Sequence, residues 1–416
     1  MRAVLKEALK KFCPSEKEEK RIRSVVEKVK SKLDEEIRRR NLDAEITLGG
    51  SIAKQTWIAG IYDIDFFLRF DPSYEPISKL CYEICKACFK RVEVIHASRD
   101  YYRTREGKYD IEIVPVLLIE NPKQAWNSMD VSPFHVRYVS TKVRANPKIA
   151  NEARLLKQFC IANNCYGAET HLHGFSGYVL ELLMIYFKTF ENLVRASERM
   201  EPKVFIDIEG HYKNKKEAFT KLTQPKLKSP LILIDPILPN RNAAAALNYP
   251  VFSRFLFALR NFKRDPRMRA FEEKRVDEKY LKELSQKKGT KLFLEKLPIK
   301  KPEHIFFAKL VRRLKRIKSS LEKEGFRVYD YGFLSREKQV LIFFELGSWV
   351  VSKAKRHLGP PVWVDPKHFD SFMKRWKRSR KKIFGPYVYR NRLAVDVKRE
   401  LIDPGRLIKR LLAQIL

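Results

Sequence analysis

The sequence predicts an α+β protein with a small mixed sheet backed by helices, a helical middle region and a basic α+β C-terminal region. Three observations predict it. Short apolar strands alternate with amphipathic helices through residue 127, helical periodicity dominates from 128 to 260, and lysine and arginine crowd residues 261–416. The last boundary rests on the charge density of Arg260 to Lys274 and on Pro266.

Met1 to Lys11 is amphipathic and charged, without the apolar core of a signal peptide. Between Ser15 and Arg40, Ile22, Val25, Val26, Val29, Leu33 and Ile37 recur at helical spacing, and Pro14-Ser15 is a start signal. Ala44 to Leu48 reads as a strand, Ile77 to Lys90 as a helix, and Val92 to Ile95 as a strand. Tyr101 to Arg105 and Lys108 to Val116 flank the turn Glu106-Gly107 as a hairpin. Further on, Ser132-Pro133 opens a helix, proline being favoured in a first turn. Asn151 to Ala162 and His173 to Phe187 are helical, and an alanine-rich helix start is expected after Asn242. Phe306 to Leu321 reads as a basic amphipathic helix, and Gly325 to Leu346 as two strands around Ser335 to Lys338.

Between the first strand and the cysteine-bearing helix lies the stretch that carries chemistry. Gly49-Gly50-Ser51 enters a short helical segment, Gly60 breaks it, and an apolar strand follows with Asp63 and Asp65. Positions i and i+2 of a strand share a face, so the two carboxylates are neighbours. Like charges held together in an apolar strand are unfavourable unless a cation sits between them. The strand Tyr109 to Pro115 repeats the arrangement with Asp110 and Glu112, and alternation alone does not choose between them as a third ligand. Mg²⁺ takes one or two protein carboxylates plus phosphate and water, and two such ions need a bridging set. The Gly-Gly-Ser turn offers backbone N–H groups and a hydroxyl to phosphate.

Cys81, Cys85 and Cys88 have a spacing that would suit an iron–sulfur cluster, but with Leu80, Ile84 and Phe89 they form one apolar helix stripe. They read as packing residues. With no disulfide framework, a cytoplasmic protein is expected.

The formal net charge is +36, from 86 Lys+Arg against 50 Asp+Glu. An excess of this size favours a polyanionic partner. No apolar run is long enough to span a bilayer, so nucleic acid is preferred to a membrane. The densest basic block, Lys374 to Lys382, contains Trp376 between Arg375 and Lys377-Arg378, a mixture suited to phosphate contact and base stacking.

Gly50-Ser51 with Ala53, Thr56-Trp57, Gly60 and Asp63-Ile64-Asp65 resembles the signature of the nucleotidyltransferase superfamily related to DNA polymerase beta, more narrowly the archaeal-type (class I) CCA-adding enzymes. Ser132 to His135, Asn151 to Lys157, Tyr166 to Glu169, Gly174 to Tyr178, Glu181 to Leu183, Asp235-Pro236 and Arg241-Asn242 continue the likeness. It is good through about Asn248 and patchier beyond, where Gly359 to Pro361 and Arg390 to Val397 are still similar.

The resemblance implies a palm-type catalytic head at 1–127, a helical nucleotide-binding neck at 128–260 and a tRNA-binding body with a shortened tail at 261–416. It implies template-independent addition of C, C and A to the tRNA 3′ end from CTP and ATP, releasing pyrophosphate, with two Mg²⁺. Asp63, Asp65 and Glu112 would be the catalytic metal ligands, with Asp110 the alternative to Glu112, where the family commonly has Asp. Gly50, Ser51, Lys54, His135, Lys157, Tyr166 and Arg241 would contact the nucleotide, Lys54 standing where arginine is usual. Arg375, Trp376, Lys377 and Arg378 would contact RNA, and a homodimer remains open. The alternatives are a poly(A)- or oligoadenylate-synthesising enzyme of the same fold, or a non-catalytic RNA-binding protein.

Overall fold

A computed structural model describes all residues except 75, 170, 274, 275, 301, 337, 401 and 414–416, and the side chains of 304 and 336. The chain forms two compact units, Met1–Lys274 and Arg275–Leu416.

In the first unit, α1 (Arg2–Phe12) precedes α2 (Glu16–Arg39). Ser15 caps α2 through a capping box: its hydroxyl accepts from the Glu18 N–H, and the Glu18 carboxylate accepts from the Ser15 N–H at 3.0 Å. Strands β1 (Ala44–Leu48), β2 (Asp63–Phe70), β3 (Glu93–Ile95), β4 (Tyr101–Glu106) and β5 (Tyr109–Leu117) form a sheet ordered β1-β2-β5-β4-β3. Within this sheet β2 and β5 pair in parallel and the other neighbours pair antiparallel. One face of β2, Ile64, Phe66, Leu68 and Phe70, is fully buried with the apolar stripe of α2 and with α4 (Ile77–Cys88). Cys81 and Cys85 pack in that core beside Ile84. The other face carries Asp63, Asp65, Phe67 and Arg69, and over it passes the short helix α3 (Gly50–Ala53).

Helices α5 (Ser132–Ala145), α6 (Lys148–Ala162), α7 (Gly177–Phe187), α8 (Phe190–Ala196), α9 (Lys215–Lys221) and α10 (Tyr249–Arg264) follow, with the parallel pair β6 (Val204–Ile206) and β7 (Leu231–Leu233). A second core, centred on Leu156, Phe159, Leu182, Phe190 and Leu259, joins α6, α7, α8 and α10. Helix α7 begins at Gly177, later than periodicity predicts. Ser176 caps it by accepting from the Val179 N–H, and His173 has φ +54°, outside the helical region. The alanine-rich segment after Asn242 is a turn, not a helix start. The Asn242 side chain takes the N–H groups of Leu233 and Ala244 and donates to Leu231 O, tying the segment to β7 instead.

The second unit contains α11 (Glu278–Lys288), β8 (Lys291–Pro298), α12 (Glu303–Lys323), β9 (Arg327–Arg336) and β10 (Gln339–Ser348), with sheet order β8-β10-β9. Leu310, Leu314, Ile317 and Leu321 bury the apolar stripe of α12 in the core that contains Phe344. Then come β11 (Ala354–Pro361), α13 (Pro366–Lys377), β12 (Lys382–Tyr389), β13 (Arg392–Lys398), ordered β11-β13-β12, and α14 (Pro404–Leu412). On α13, Phe369, Phe372 and Trp376 form an inward stripe. Trp376 is 7% exposed, packs with Leu393 and Val395, and lies 5.0 Å from the His357 ring. Its ring is therefore part of a core, whereas Arg375, Lys377 and Arg378 are exposed.

Candidate active site

The site is built on the polar face of β2 and β5. Their parallel register sets Asp63 beside Asp110 and Asp65 beside Glu112. Alternation puts all four carboxylates on one face. Asp110 is turned to its hairpin partner Arg105, at 2.5 Å, and Glu112 accepts from Arg103 Nη2 at 2.6 Å.

Asp65 lies under the Gly49-Gly50 turn. The Gly49 N–H donates to the Asp65 carbonyl at 2.7 Å. Gly50 has φ +58°, and a Cβ there would lie 1.6 Å from Asp65 Oδ2, so both backbone conformation and space require glycine. Burial pushes the Asp65 carboxyl up to about 6, and the charges of Glu112 and Asp63 add to the rise, against Lys54 and Lys157. Among the described residues, no group of three or more His, Cys, Asp or Glu is already gathered around a metal position. The donors nonetheless fit a hard divalent cation: all are oxygens, and they repel one another until a positive charge joins them.

Lys157 of α6 faces this cluster. Burial lowers its ammonium pKa, Glu181, Asp63 and Asp65 oppose that, and Nζ lies 5.3 Å from the Tyr166 ring centre. Tyr166 is itself raised by burial and then by Glu181, Glu169, Asp63 and Asp65. Gly50, Lys54, Lys157, Tyr166, Asp63, Asp65 and Glu112 thus share one neighbourhood, which Ser51 enters as the next residue of the turn. Lys54 behaves differently from a free phosphate-binding lysine. Its Nζ lies 2.6 Å from Glu181 Oε2, both side chains are nearly buried, and Thr56 Oγ1 donates to Glu181 Oε1 at 2.5 Å.

His135 and Arg241 gather at a second centre, the fully buried Asp235. His135 Nε2 lies 3.0 Å from Asp235 Oδ2, within ion-pair distance but not aligned for a hydrogen bond. Arg241 pairs with the same oxygen, and Tyr178 Oη donates to Asp235 Oδ1 at 3.3 Å. The His135 and Tyr178 rings are 4.4 Å apart. Helix α7 connects the two centres, since Tyr178 and Glu181 are one turn apart on it.

Glu181, Asp235 and Arg103 have no assigned role in the sequence reading. The signal for Asp235 was an acid closing the apolar run Leu231 to Ile234, and for Glu181 a lone acid inside an apolar helix. Nothing local marks Arg103. Arg375, Trp376, Lys377 and Arg378 lie in the other unit.

Sequence models of three domains match the chain: nucleotidyltransferase domain at 30–124, tRNA nucleotidyltransferase second domain at 151–272, and CCA-adding enzyme C-terminal domain at 293–415. The CCA-adding enzyme of Nanoarchaeum equitans is 35% identical over 80% of this chain and 79% of its own. That of Pyrobaculum aerophilum is 31% identical over 96% and 91%. Among solved structures, the Cid1 poly(U) polymerase superposes with a TM-score of 0.52 at 14% identity, covering 65% of this chain and 98% of that one, a likeness of fold alone. No helix among the described residues is long and apolar enough to cross a membrane. The chain belongs to the CCA-adding enzymes, a family of tRNA nucleotidyltransferases.

Proposed function

We propose that this chain extends the 3′ end of tRNA by C, C and A in turn, from CTP and ATP, at the face of β2 and β5. The carrying observation is the parallel register that sets Asp65 beside Glu112, with Asp63 two residues away and the Asp65 carboxyl pushed up to about 6. Asp63, Asp65 and Glu112 would hold Mg²⁺, two ions in the full complex, with Glu112 turning from Arg103 to do so. Held there, Mg²⁺ would supply activation of the terminal 3′-hydroxyl and neutralisation of triphosphate charge.

The chain's own residues do the rest. Gly50 and Ser51 present backbone N–H groups and a hydroxyl to the triphosphate, and Gly50 leaves the Asp65 carboxylate room beneath it. Lys157 adds positive charge beside the acids, with Tyr166 as its wall. Lys54 contributes charge from its place on Glu181 and holds the turn from below. The 3′-hydroxyl gives its proton to solvent as its oxygen bonds to the α-phosphorus, and the bond from the α-phosphorus to the bridging oxygen breaks so that pyrophosphate leaves. His135 and Arg241, aimed by Asp235, contact the nucleotide, with Arg241 reading the base edge. Arg375, Lys377 and Arg378 contact RNA phosphates, while Trp376 supports the helix that presents them. A cytoplasmic setting agrees with six unpaired cysteines.

The test is incubation of the full chain and Mg²⁺ with tRNA lacking CCA and with each nucleoside triphosphate, alone and combined. Ordered addition of two C and one A is the expected product. Long A tracts without C, or full incorporation by Asp65→Ala, would overturn the reading.

A further inference from the structure

A cleft of about 480 Å³ opens on the same face of β2 as the acids but further along the strand. Arg69, four residues past Asp65, is displaced from it by about 13 Å at roughly 3.3 Å per residue. Helix α3 separates the two places, with Gly50 over Asp65 and Ala53 to Gln55 forming a wall of the cleft. The opposite wall is α5, tied to α3 by Ser140 Oγ donating to Ala53 O at 3.3 Å. We propose that this cleft is a second nucleotide site, taking a phosphate-bearing nucleotide other than the one being transferred.

Three properties point to that ligand. The first is charge. Arg69, Arg137 and Arg144 line the cleft, and only Arg69 has a carboxylate partner, Glu45. Arg137 makes a ring contact with Phe134 at 5.8 Å, and Arg144 Nε donates to Ser140 O at 3.4 Å. Among the described residues neither arginine is ion-paired. An adjoining cleft shares Arg69 and Arg137 and adds one acid, Glu120. Two arginines facing open space provide fork-shaped donors that match phosphate oxygens.

The second property is an unmet demand for polar partners. Thr47 and Arg69 contribute to the cleft wall, and their Oγ1 and Nε atoms, sealed from solvent, have no hydrogen-bond partner among the described residues. Buried polar groups of native proteins are nearly always satisfied, so the two orphaned groups leave a demand in the cleft wall that a shift of the wall onto a polar ligand would meet. The third is shape. Leu48, Phe67 and Val136 give the cleft an apolar floor between its polar edges. A cavity of this size and mixed lining suits a base lying on the floor with its phosphate at the arginines. Inorganic phosphate alone would leave that floor uncovered.

The nucleotide is a free one, distinct from the nucleotides of the tRNA chain, and the inference does not depend on which base the enzyme adds. Equilibrium dialysis of the full chain with labelled CTP in Mg²⁺, without tRNA, is compared between wild type and the double variant Arg137→Glu/Arg144→Glu. Filter binding of tRNA across about 0.05–0.3 M salt is the second measurement. Two CTP per wild-type chain and one per variant chain support the site with a free nucleotide. One CTP in both, with tRNA affinity about tenfold lower in the variant and a salt slope shallower by about 1.5, overturns it and assigns the two arginines to tRNA contact alone. One CTP in both with unchanged tRNA affinity and slope overturns the proposal, as does a variant that binds no CTP. Arg137→Lys/Arg144→Lys, which keeps the charge, should retain most of the binding and shows whether the reversed charges act through misfolding.

Discussion

Asp65 Oδ2 occupies the space where a side chain at position 50 would begin, 1.6 Å from an ideal Cβ on Gly50. The turn and strand β2 are therefore one structural unit. The Gly50→Ala variant must move Asp65 or the turn, and it also puts alanine at φ +58°. We expect about 1–3 kcal/mol of destabilisation and a kcat lower by about 100-fold, as a 1 Å displacement of a reacting group can produce. Urea unfolding and single-turnover kinetics read the two effects separately. An alanine variant with normal kcat would show that the close approach has no catalytic consequence.

Asp65 is buried and has two other carboxylates beside it, so its charge costs stability in the metal-free protein. Asp65→Asn, which keeps the shape, should raise metal-free stability by about 1–2 kcal/mol. Mg²⁺ should raise the melting temperature of wild type and leave the variant nearly unmoved. Equal Mg²⁺ responses in differential scanning calorimetry would remove Asp65 from the ligand set.

The Lys54–Glu181 pair closes a contact across 127 residues with almost no exposure to water. Glu181→Gln leaves a buried ammonium without its counter-charge and should cost about 3–5 kcal/mol. Replacing both, Lys54→Met with Glu181→Leu, should recover most of that stability. If the double variant is stable but its KM for CTP rises, Lys54 charge reaches the triphosphate as well as Glu181. An unchanged KM would confine Lys54 to support of the turn.

Burial works to raise the Asp235 carboxyl, but His135, Arg241 and the Ile237 N–H outweigh it and hold it well below the usual carboxylate range. A depressed carboxyl stabilises the fold above its unfolded value, near 4, and that contribution fades as pH falls through the native one. The stability gap between wild type and Asp235→Asn should therefore be about 2–3 kcal/mol at pH 6–8 and shrink below about pH 4. A gap independent of pH down to 3 would contradict the pairing. The variant should also discriminate C from A less well, because His135 and Arg241 lose their common anchor.

Trp376 and its basic neighbours should separate cleanly. Trp376→Ala removes a buried ring and should destabilise the second unit by about 3–5 kcal/mol. Replacing Arg375, Lys377 and Arg378 by alanine should leave the fold intact and weaken tRNA binding with a shallower salt slope. A triple variant with unchanged slope would place the RNA elsewhere.

Much of the architecture is local enough to read from the chain. The α2 stripe, the helix start at Pro14-Ser15, the strands around Gly107 and the two acid pairs all follow from spacings of one to four residues, where backbone geometry alone decides which side chains share a face. The same locality explains the failures. The alanine run after Asn242 has helix propensity, yet the Asn242 side chain binds it to β7. Trp376 sits in a basic block, yet its spacing from Phe369 and Phe372 turns it inward.

By itself, then, the sequence determined that acids pair on two strands, that a glycine turn precedes them, and that the last third is basic. Only the tertiary structure decided that Asp65 stands beside Glu112, that Lys54 is held by Glu181, and that Asp235 draws His135 and Arg241 together. Each of those depends on strand register or on a buried ion pair between distant residues. Such contacts are selected by packing and charge across the whole unit, which no short window of sequence contains.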